Sequence, residues 1–231
     1  MKLPNLPWAR FIGEGALIII SVYFAIVLEG MSQDRKAELS AHAALAQVLE
    51  ELRDDLLDVN EIRAYQLVAD EKYSALFQWL ASPESMPLNS VADAMDTIFL
   101  TNRTLYPRRS GWTTMVAAGQ LAELNAPGLV AQLGNFYESV NPRLTDGGLQ
   151  YDENLTDIGR NSGTKIWDGF DHRLLTTDVR ELTAFRNQLR FLHIWGNLWY
   201  LDRLDDYSQA LDILIVEIES YLQINSFESE T

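Results

Sequence analysis

An apolar segment near the N-terminus restricts the fold of this chain more than any other feature of its sequence. Residues 11–31 run FIGEGALIIISVYFAIVLEGM. Between Glu14 and Glu29 only Ser21 and Tyr23 carry a polar atom. Such a segment is typical of a helix that leaves water, either in a bilayer or in a protein core.

The length of this segment favours a bilayer. A helix from Trp8 to Met31 would be about 36 Å long at about 1.5 Å per residue, which exceeds a hydrocarbon core of about 30 Å. Both glutamates would then lie near the interfaces, where a carboxylate costs less than at the bilayer centre. The sequence therefore predicts an N-terminal anchor over residues 1–31, with one transmembrane span at about 11–31.

A cleaved signal peptide is the main alternative, because its apolar region would also suit the fourteen residues between the two glutamates. No small-x-small cleavage site followed by a polar run stands after Leu28, which favours a retained span. Lys2 and Arg10 before the span nearly balance Arg35 and Lys36 after it. Net charge then favours a cytoplasmic N-terminus and a periplasmic domain at a bacterial inner membrane, and the opposite orientation stays open.

One face of the predicted span differs from the rest. Glu14, Ile18, Ser21, Ala25 and Glu29 are spaced by four, three, four and four residues and therefore share a stripe. Ser21 and Ala25 form a small-xxx-small pair, which allows another helix to approach closely. The stripe predicts packing against a helix of a partner subunit.

Glu14 has two compatible interpretations. An acid inside a membrane is a functional candidate by default, here as a hydrogen-bond partner for a neighbouring subunit. It also lies in the first turn of the helix, where the helix dipole and Arg10, four residues earlier, would stabilise its charge.

Composition describes the remainder of the chain. The 231 residues are 47% apolar and 22% charged, with a net charge of −15 and no cysteine. This composition predicts one globular acidic domain over residues 32–224 and a polar acidic tail over 225–231. The charge disfavours nucleic acid as a partner, and the absence of cysteine excludes disulfides and thiolate metal sites.

Helical periodicity dominates this domain. No proline or glycine interrupts residues 32–81, where leucines recur at heptad-like spacing, so a long helix continuous with the span is predicted. Shorter helices are predicted over 90–100 with Asn89 as the cap, over 113–124, and over 127–139 ending at Asn141-Pro142. Residues 144–170 permit short helices or an ordered loop. We expect Asp178 to cap a final long helical stretch, which Gly196 bends.

The predicted fold class is therefore all-α: one N-terminal transmembrane helix and an extramembrane bundle whose long first and last helices pack antiparallel. No strand of period two stands out.

Three arginines form the densest basic patch of the chain. Arg103, Arg108 and Arg109 lie in a loop, where they could contact an acidic partner or lipid headgroups. In so acidic a domain, pairing with its own carboxylates is the favoured interpretation.

No catalytic motif is present. The three histidines, His42, His172 and His193, are far apart, and the chain has no HExxH, P-loop or G-x-S-x-G motif. Acidic residues near position 155 lack the spacing of a calcium loop, so a solvated acidic loop is favoured over a divalent-ion site. Aromatic residues near the C-terminus recur every four residues, which favours a core stripe over a cofactor or partner contact. These two groups are Asp152, Glu153 and Asp157, and Phe191, Trp195, Trp199, Tyr200 and Tyr207.

Several short motifs resemble an uncharacterised bacterial family of single-span membrane proteins that carries a domain-of-unknown-function label. The motifs are Ile12-Gly13-Glu14, then Leu49, Leu52, Asp55 and Leu56, then Ser110-Gly111, Gln120-Leu121, Leu129 to Tyr137, and Phe185-Arg186-Asn187. Ser21 stands where the family usually has glycine, and Glu29-Gly30-Met31 replaces its Asn-x-x-Trp ending. The resemblance implies a membrane anchor with a helical domain, and no known activity.

These observations predict a non-catalytic accessory or scaffolding subunit of a larger bacterial membrane complex, with an energy-converting respiratory or photosynthetic assembly as host by analogy. Other membrane subunits and lipid are the expected partners, and no cofactor, metal or catalytic residue is predicted. The alternatives are a membrane-tethered sensor or ligand-binding domain that signals through a separate partner, and an enzyme using Asp152, Glu153 and Asp157.

Overall fold

The computed structural model describes the backbone of residues 8–229 and the side chains of residues 17–223. Nearly all of this part of the chain is helical, which confirms the all-α fold class. The α-helices are α1 Trp8–Ala81, α2 Leu88–Phe99, α3 Ser110–Ala117, α4 Pro127–Asn135, α5 Asn141–Ile158, α6 Thr164–Ile166, α7 Val179–Leu192 and α8 Trp199–Ser229. A 3₁₀ turn spans Gln120–Glu123, and π-helical turns span Phe136–Val140, Gly159–Gly163 and His193–Leu198.

Helix α1 is the longest element and organises the others. Its 74 residues form one unbroken helix, about 110 Å long at about 1.5 Å per residue. Its apolar positions Leu45, Leu49, Leu52 and Val59 are buried in the core, and Leu56 is partly buried against it. The predicted continuity between the apolar segment and the first domain helix is therefore confirmed, and the helix ends before Ser82-Pro83 as expected.

Helix α8 packs against α1 in the opposite direction, which confirms the predicted pairing of the long first and last helices. Hydrogen bonds from α1 reach α8 and the π turn just before it, and they join positions that rise along α1 and fall along the C-terminal stretch. These bonds are His42 Nε2 to Tyr221 Oη at 3.2 Å, Tyr207 Oη to Asp55 Oδ2 at 2.9 Å, and Asn197 Nδ2 to Gln66 Oε1 at 2.8 Å. Between the two helices lies one apolar core, to which the shorter helices also contribute.

Two of the predicted short helices have different limits. Asn89 is not a cap, because α2 begins at Leu88 directly after Pro87, which already has the extended backbone of a cap residue. Helix α3 begins at Ser110 and ends at Ala117 instead of covering 113–124. It ends there because Gly119 adopts a left-handed φ of 69°, which breaks the helix before the 3₁₀ turn.

The predicted stop at Asn141-Pro142 is wrong. The chain passes from α4 through a π turn into α5 without leaving the helical conformation. In that turn the Asn141 N–H donates to the Phe136 carbonyl, five residues earlier. The hydrogen-bond pattern has therefore already changed from the α-helical one before the chain reaches Pro142, which has no N–H to donate. Pro142 then lies in the first turn of α5, where a missing N–H costs little.

Residues 144–170 are ordered as helix rather than as a loop. Helix α5 continues to Ile158, and a π turn and α6 follow it. A two-residue antiparallel hairpin comes next, with β1 Trp167–Asp168 paired to β2 Arg173–Leu174. Strands this short have no period-two pattern, so the sequence did not indicate them.

The C-terminal stretch begins where it was predicted to. The Asp178 carboxylate accepts a hydrogen bond of 2.7 Å from the Arg180 N–H at the start of α7, which confirms it as the N-cap. Gly196 lies in the π turn between α7 and α8. A methyl group there would lie 2.7 Å from Cε2 of the buried Tyr151 ring, so this close approach requires glycine.

Replacing Gly196 by alanine is therefore expected to lower the free energy of unfolding by about 1–3 kcal/mol, because the added methyl group overpacks the core. The matched control is Gly134→Ala in α4, where a Cβ atom would meet no neighbour within 4 Å. The control should be neutral or stabilising by up to about 1 kcal/mol, since alanine favours helix over glycine. Chemical denaturation of the full chain in detergent measures both, and equal effects would contradict the packing argument.

Candidate functional site

The first described part of α1 exposes large apolar side chains. Residues 17–36 are all exposed on the surface. Ile19 is 71% exposed and Phe24 61% exposed. Contiguous apolar surface of this extent marks a site that another phase or molecule covers. By length and composition this helix is long enough and apolar enough to cross a membrane.

The predicted stripe lies on this exposed segment. Ile18, Ser21, Ala25 and Glu29 are all exposed, and the side chain of Glu14 lies outside the described residues. The Ser21 hydroxyl donates to the Leu17 carbonyl at 2.8 Å, so its polar group is satisfied within the helix. The stripe therefore presents small side chains whose one hydroxyl group is already hydrogen-bonded. Its packing against a partner stays a prediction.

The basic loop is bound to the bundle. Arg103 pairs with Glu61 of α1, and Arg108 contacts three carboxylates of α1. Arg109 pairs with Glu138 at 3.5 Å and also donates to the Tyr137 carbonyl at 3.1 Å. The prediction that these arginines pair with carboxylates of the same domain is confirmed. A partner contact made by their exposed parts stays a prediction.

Lipid contact by the same loop also stays a prediction. The Arg108 guanidinium pairs with Asp55. Asp55 is about 36 Å beyond Met31 at about 1.5 Å per residue along the helix, so lipid contact would require a membrane surface that reaches this far from the apolar segment.

Asp55 is the centre of the contacts between the basic loop, α1 and α8. Its buried carboxylate accepts hydrogen bonds from the Arg108 guanidinium at 2.7 Å, from the Arg108 N–H at 3.1 Å and from the Tyr207 hydroxyl at 2.9 Å. Burial raises the pKa of Asp55, and the hydrogen bonds from Arg108 and Tyr207 oppose that rise. These contacts hold three segments together at one point.

Glu51 lies one turn before Asp55 and holds the start of α3. Its carboxylate accepts the Gly111 N–H at 2.9 Å and also the Ser110 hydroxyl. A carboxylate at a helix N-terminus is stabilised by the unpaired N–H groups and the helix dipole. Asp55 and Ser110-Gly111 belong to the motifs that carry the family resemblance, so these motif residues have structural roles.

The acidic group near position 155 lies on helix α5, so the prediction of an acidic loop is wrong. Asp152 accepts hydrogen bonds from Asn102 at 2.6 Å, Thr104 at 2.7 Å and Tyr106 at 3.2 Å, and thus fixes the segment before the basic patch. Asp157 accepts one from Asn161 at 2.5 Å. Among residues 17–223 no group of three or more His, Asp or Glu is arranged to hold a metal ion.

The predicted aromatic core stripe holds only in part. Tyr200 and Tyr207 are buried, whereas Phe191 is 52% and Trp195 64% exposed. The π turn at His193–Leu198 adds a residue to its helical turn, so side chains four apart no longer share a face. Apart from Gly196, no residue pattern indicated this turn.

A groove between α1 and α7 was missed at the sequence level. Its volume is about 620 Å³. It is lined by Ser74, Phe77, Arg186, Asn187, Arg190, His193 and Ile194. The signal that could have indicated it is the pair Arg186 and Arg190, which are one helical turn apart on α7.

The fold and these surfaces together define a class of protein: a helical bundle on a long N-terminal helix whose first part is apolar and exposed. The chain belongs to the family described as "Family of unknown function (DUF6090)", whose model matches residues 14–195. No curated protein and no solved structure matches it. The expected membership of an uncharacterised family is thereby confirmed, and the matched range includes Asp55 and Ser110-Gly111.

Replacing Arg108 by glutamine should remove the counter-charge of a buried carboxylate. Because Arg108 is itself partly exposed, the free energy of unfolding should fall by about 2 kcal/mol, below the range for a fully buried pair. The control Arg103→Gln removes an exposed pair with Glu61 and should cost less than about 1 kcal/mol. Denaturant titration of the full chain in detergent at pH 7 measures both.

The cost of Arg108→Gln should depend on pH. The pKa of Asp55 is raised in the folded protein, and losing Arg108 raises it further, so the folded state holds this proton more tightly than the unfolded state. The stability difference between the Arg108→Gln and Arg103→Gln proteins should therefore shrink as the pH falls from 7 to 5. Adding Asp55→Asn to Arg108→Gln should recover stability at pH 7. A difference that is constant with pH would contradict this account.

Proposed function

We propose that this protein is a single-pass protein of the bacterial inner membrane that serves as a non-catalytic accessory or scaffolding subunit of a larger membrane complex. The observation that carries the proposal is the continuity of α1. One helix has exposed apolar side chains before residue 31 and buried core side chains after residue 41.

The anchor follows from the exposed apolar surface. Apolar area in water costs about 25 cal/mol per Å², and lipid removes that cost without any protein contact. The span ends near Met31, and Ala41 is the first fully buried core residue. These residues are about 15 Å apart along α1, which places the bundle just beyond the headgroups of that membrane face.

The stripe supports a role within a complex. Ser21 and Ala25 provide a surface of small side chains on a helix that is otherwise covered with Ile, Leu, Val and Phe. Lipid gains nothing from such a surface, whereas a second helix can pack closely against it.

A non-catalytic role is supported by where the perturbed ionisable groups lie. Burial raises the pKa of Tyr73, Tyr151, Tyr200 and Tyr207, and all four are core residues. Catalytic groups with shifted pKa values ordinarily face a cleft that admits substrate. The shifts of these tyrosines follow from packing, so they provide no acid or base for chemistry.

The orientation and the host are the finer parts of the proposal. The bundle is assigned to the periplasmic side by the charges that flank the span. A respiratory or photosynthetic assembly is proposed as the host by analogy, because such assemblies accumulate single-span subunits.

Co-purification from native membranes tests this function. The unchanged protein should stay in the membrane pellet after carbonate washing, and after mild solubilisation it should be isolated with other membrane proteins. Ser21→Phe with Ala25→Phe should release those proteins, because the bulky rings block close helix packing. The matched control is Ile19→Phe with Val27→Phe on the opposite face, which should retain them. A protein found in the soluble fraction, or always isolated alone, would overturn the proposal.

A second candidate is a membrane-tethered ligand-binding or sensor domain that signals through a separate partner. The groove between α1 and α7 favours it, because Ser74 and Phe77 in its wall belong to the helix that carries the apolar segment. A ligand in the groove would therefore contact the same rigid element that enters the membrane.

A further inference from the structure

The groove between α1 and α7 has an unusual charge for this protein. The chain carries a net charge of −15, yet none of the seven residues that line the groove is an acid. Two other polar grooves in the described part of the chain combine basic residues with carboxylates, one with Asp58, Glu61 and Asp152, the other with Asp152, Glu153 and Asp157. This groove is therefore locally basic within an acidic surface.

Its two arginines are available to a ligand. Neither Arg186 nor Arg190 forms an ion pair with the described residues, in contrast to the three arginines of the basic loop. They lie four residues apart on α7, so both guanidinium groups project from the same side of the helix. Guanidinium groups bind carboxylate and phosphate oxygens through paired N–H donors.

Further polar groups line the same space. Ser74 provides a hydroxyl and Asn187 an amide. His193 is fixed in place, since its Nε2 bonds to Asp70 and its ring packs 5.0 Å from the Tyr73 ring and 5.5 Å from the Phe77 ring, centroid to centroid. The Asp70 carboxylate that bonds to His193 is not among the residues that line the groove.

The groove also has an apolar wall. Phe77 and Ile194 face it from opposite elements, α1 and the π turn. A volume of about 620 Å³ lies within the range of small-molecule sites, which combine apolar surface with a few polar groups. A fully hydrated inorganic ion would leave this wall unused.

We propose that this groove binds a small organic anion, with its carboxylate or phosphate group held by Arg186 and Arg190 and its apolar or aromatic part against Phe77 and Ile194. The site is independent of the accessory role. Because the overall field of the protein repels anions, recognition depends on these local donors and not on net charge. The bound molecule bridges α1 and α7.

Phenyl phosphate is a suitable probe, because it joins a phosphate group to an aromatic ring. It is titrated against the full chain in an uncharged detergent, and ligand-detected NMR or calorimetry follows binding. We expect saturable binding at least ten-fold tighter than that of inorganic phosphate, and no comparable binding of benzyl alcohol, which has the ring without the charge. No saturable binding, or equal affinity for inorganic phosphate, would overturn the proposal.

Variants separate the groove from general electrostatics. Arg186→Gln with Arg190→Gln should weaken phenyl phosphate binding at least ten-fold. Arg180→Gln removes a charge from the same helix outside the groove and should change the affinity less than two-fold. Ser74→Trp keeps both arginines but fills the groove, so it should also abolish binding, and it replaces the arginine variants as the test if those fail to fold. Equal losses in the Arg180 and Arg186/Arg190 variants, or unchanged binding in Ser74→Trp, would contradict the assignment.

Discussion

The backbone hydrogen bonds of α1 provide the rigid axis around which the bundle is built. It runs without a break from the exposed apolar segment through the core to Ala81. Helices α2, α3, α7 and α8 all contact it, so the bundle is assembled around a helix that also leaves it. An isolated helix of this length gains little from propensity alone, and the burial of its second half provides most of its stability.

Polar contacts fix how the other elements sit on this helix. Glu51 and Asp55, one turn apart, hold the start of α3 and the basic loop through backbone N–H groups as well as side chains. Asp152 of α5 holds the same loop from the other side. The acidic residues of this protein are thus not only a solvated surface. Acidic side chains such as Asp55 and Asp152 accept hydrogen bonds from the basic loop, which has no helix or strand partners of its own. These bonds explain why the loop is ordered.

The periodicity of apolar residues was sufficient to predict those helices whose apolar residues keep one regular spacing along their whole length. The long helices, their antiparallel packing and the Asp178 cap were predicted because each depends on local spacing. Two of the errors lie at π turns, near Pro142 and near Trp195, whereas the wrong limits of α2 and α3 lie at Pro87 and Gly119. A π turn adds one residue to its helical turn and so changes which side chains face the core. Near Trp195, Gly196 packs against Tyr151, which is a tertiary contact and not a local signal. The groove was missed because Ser74 and Arg190 are distant in sequence.

The unbroken helix also sets an angular relation between its two halves. At roughly 100° per residue, the stripe of Ile18, Ser21 and Ala25 lies roughly 170° around α1 from the core-facing positions of Ala41 and Leu45. A partner helix packed against the stripe would accordingly lie on the side of α1 that faces away from the core of the bundle. Inserting one residue between the two halves would rotate the bundle by about 100° about the axis of α1 relative to the stripe. The number of residues between Ala25 and Ala41 therefore determines which side of the bundle faces a partner helix.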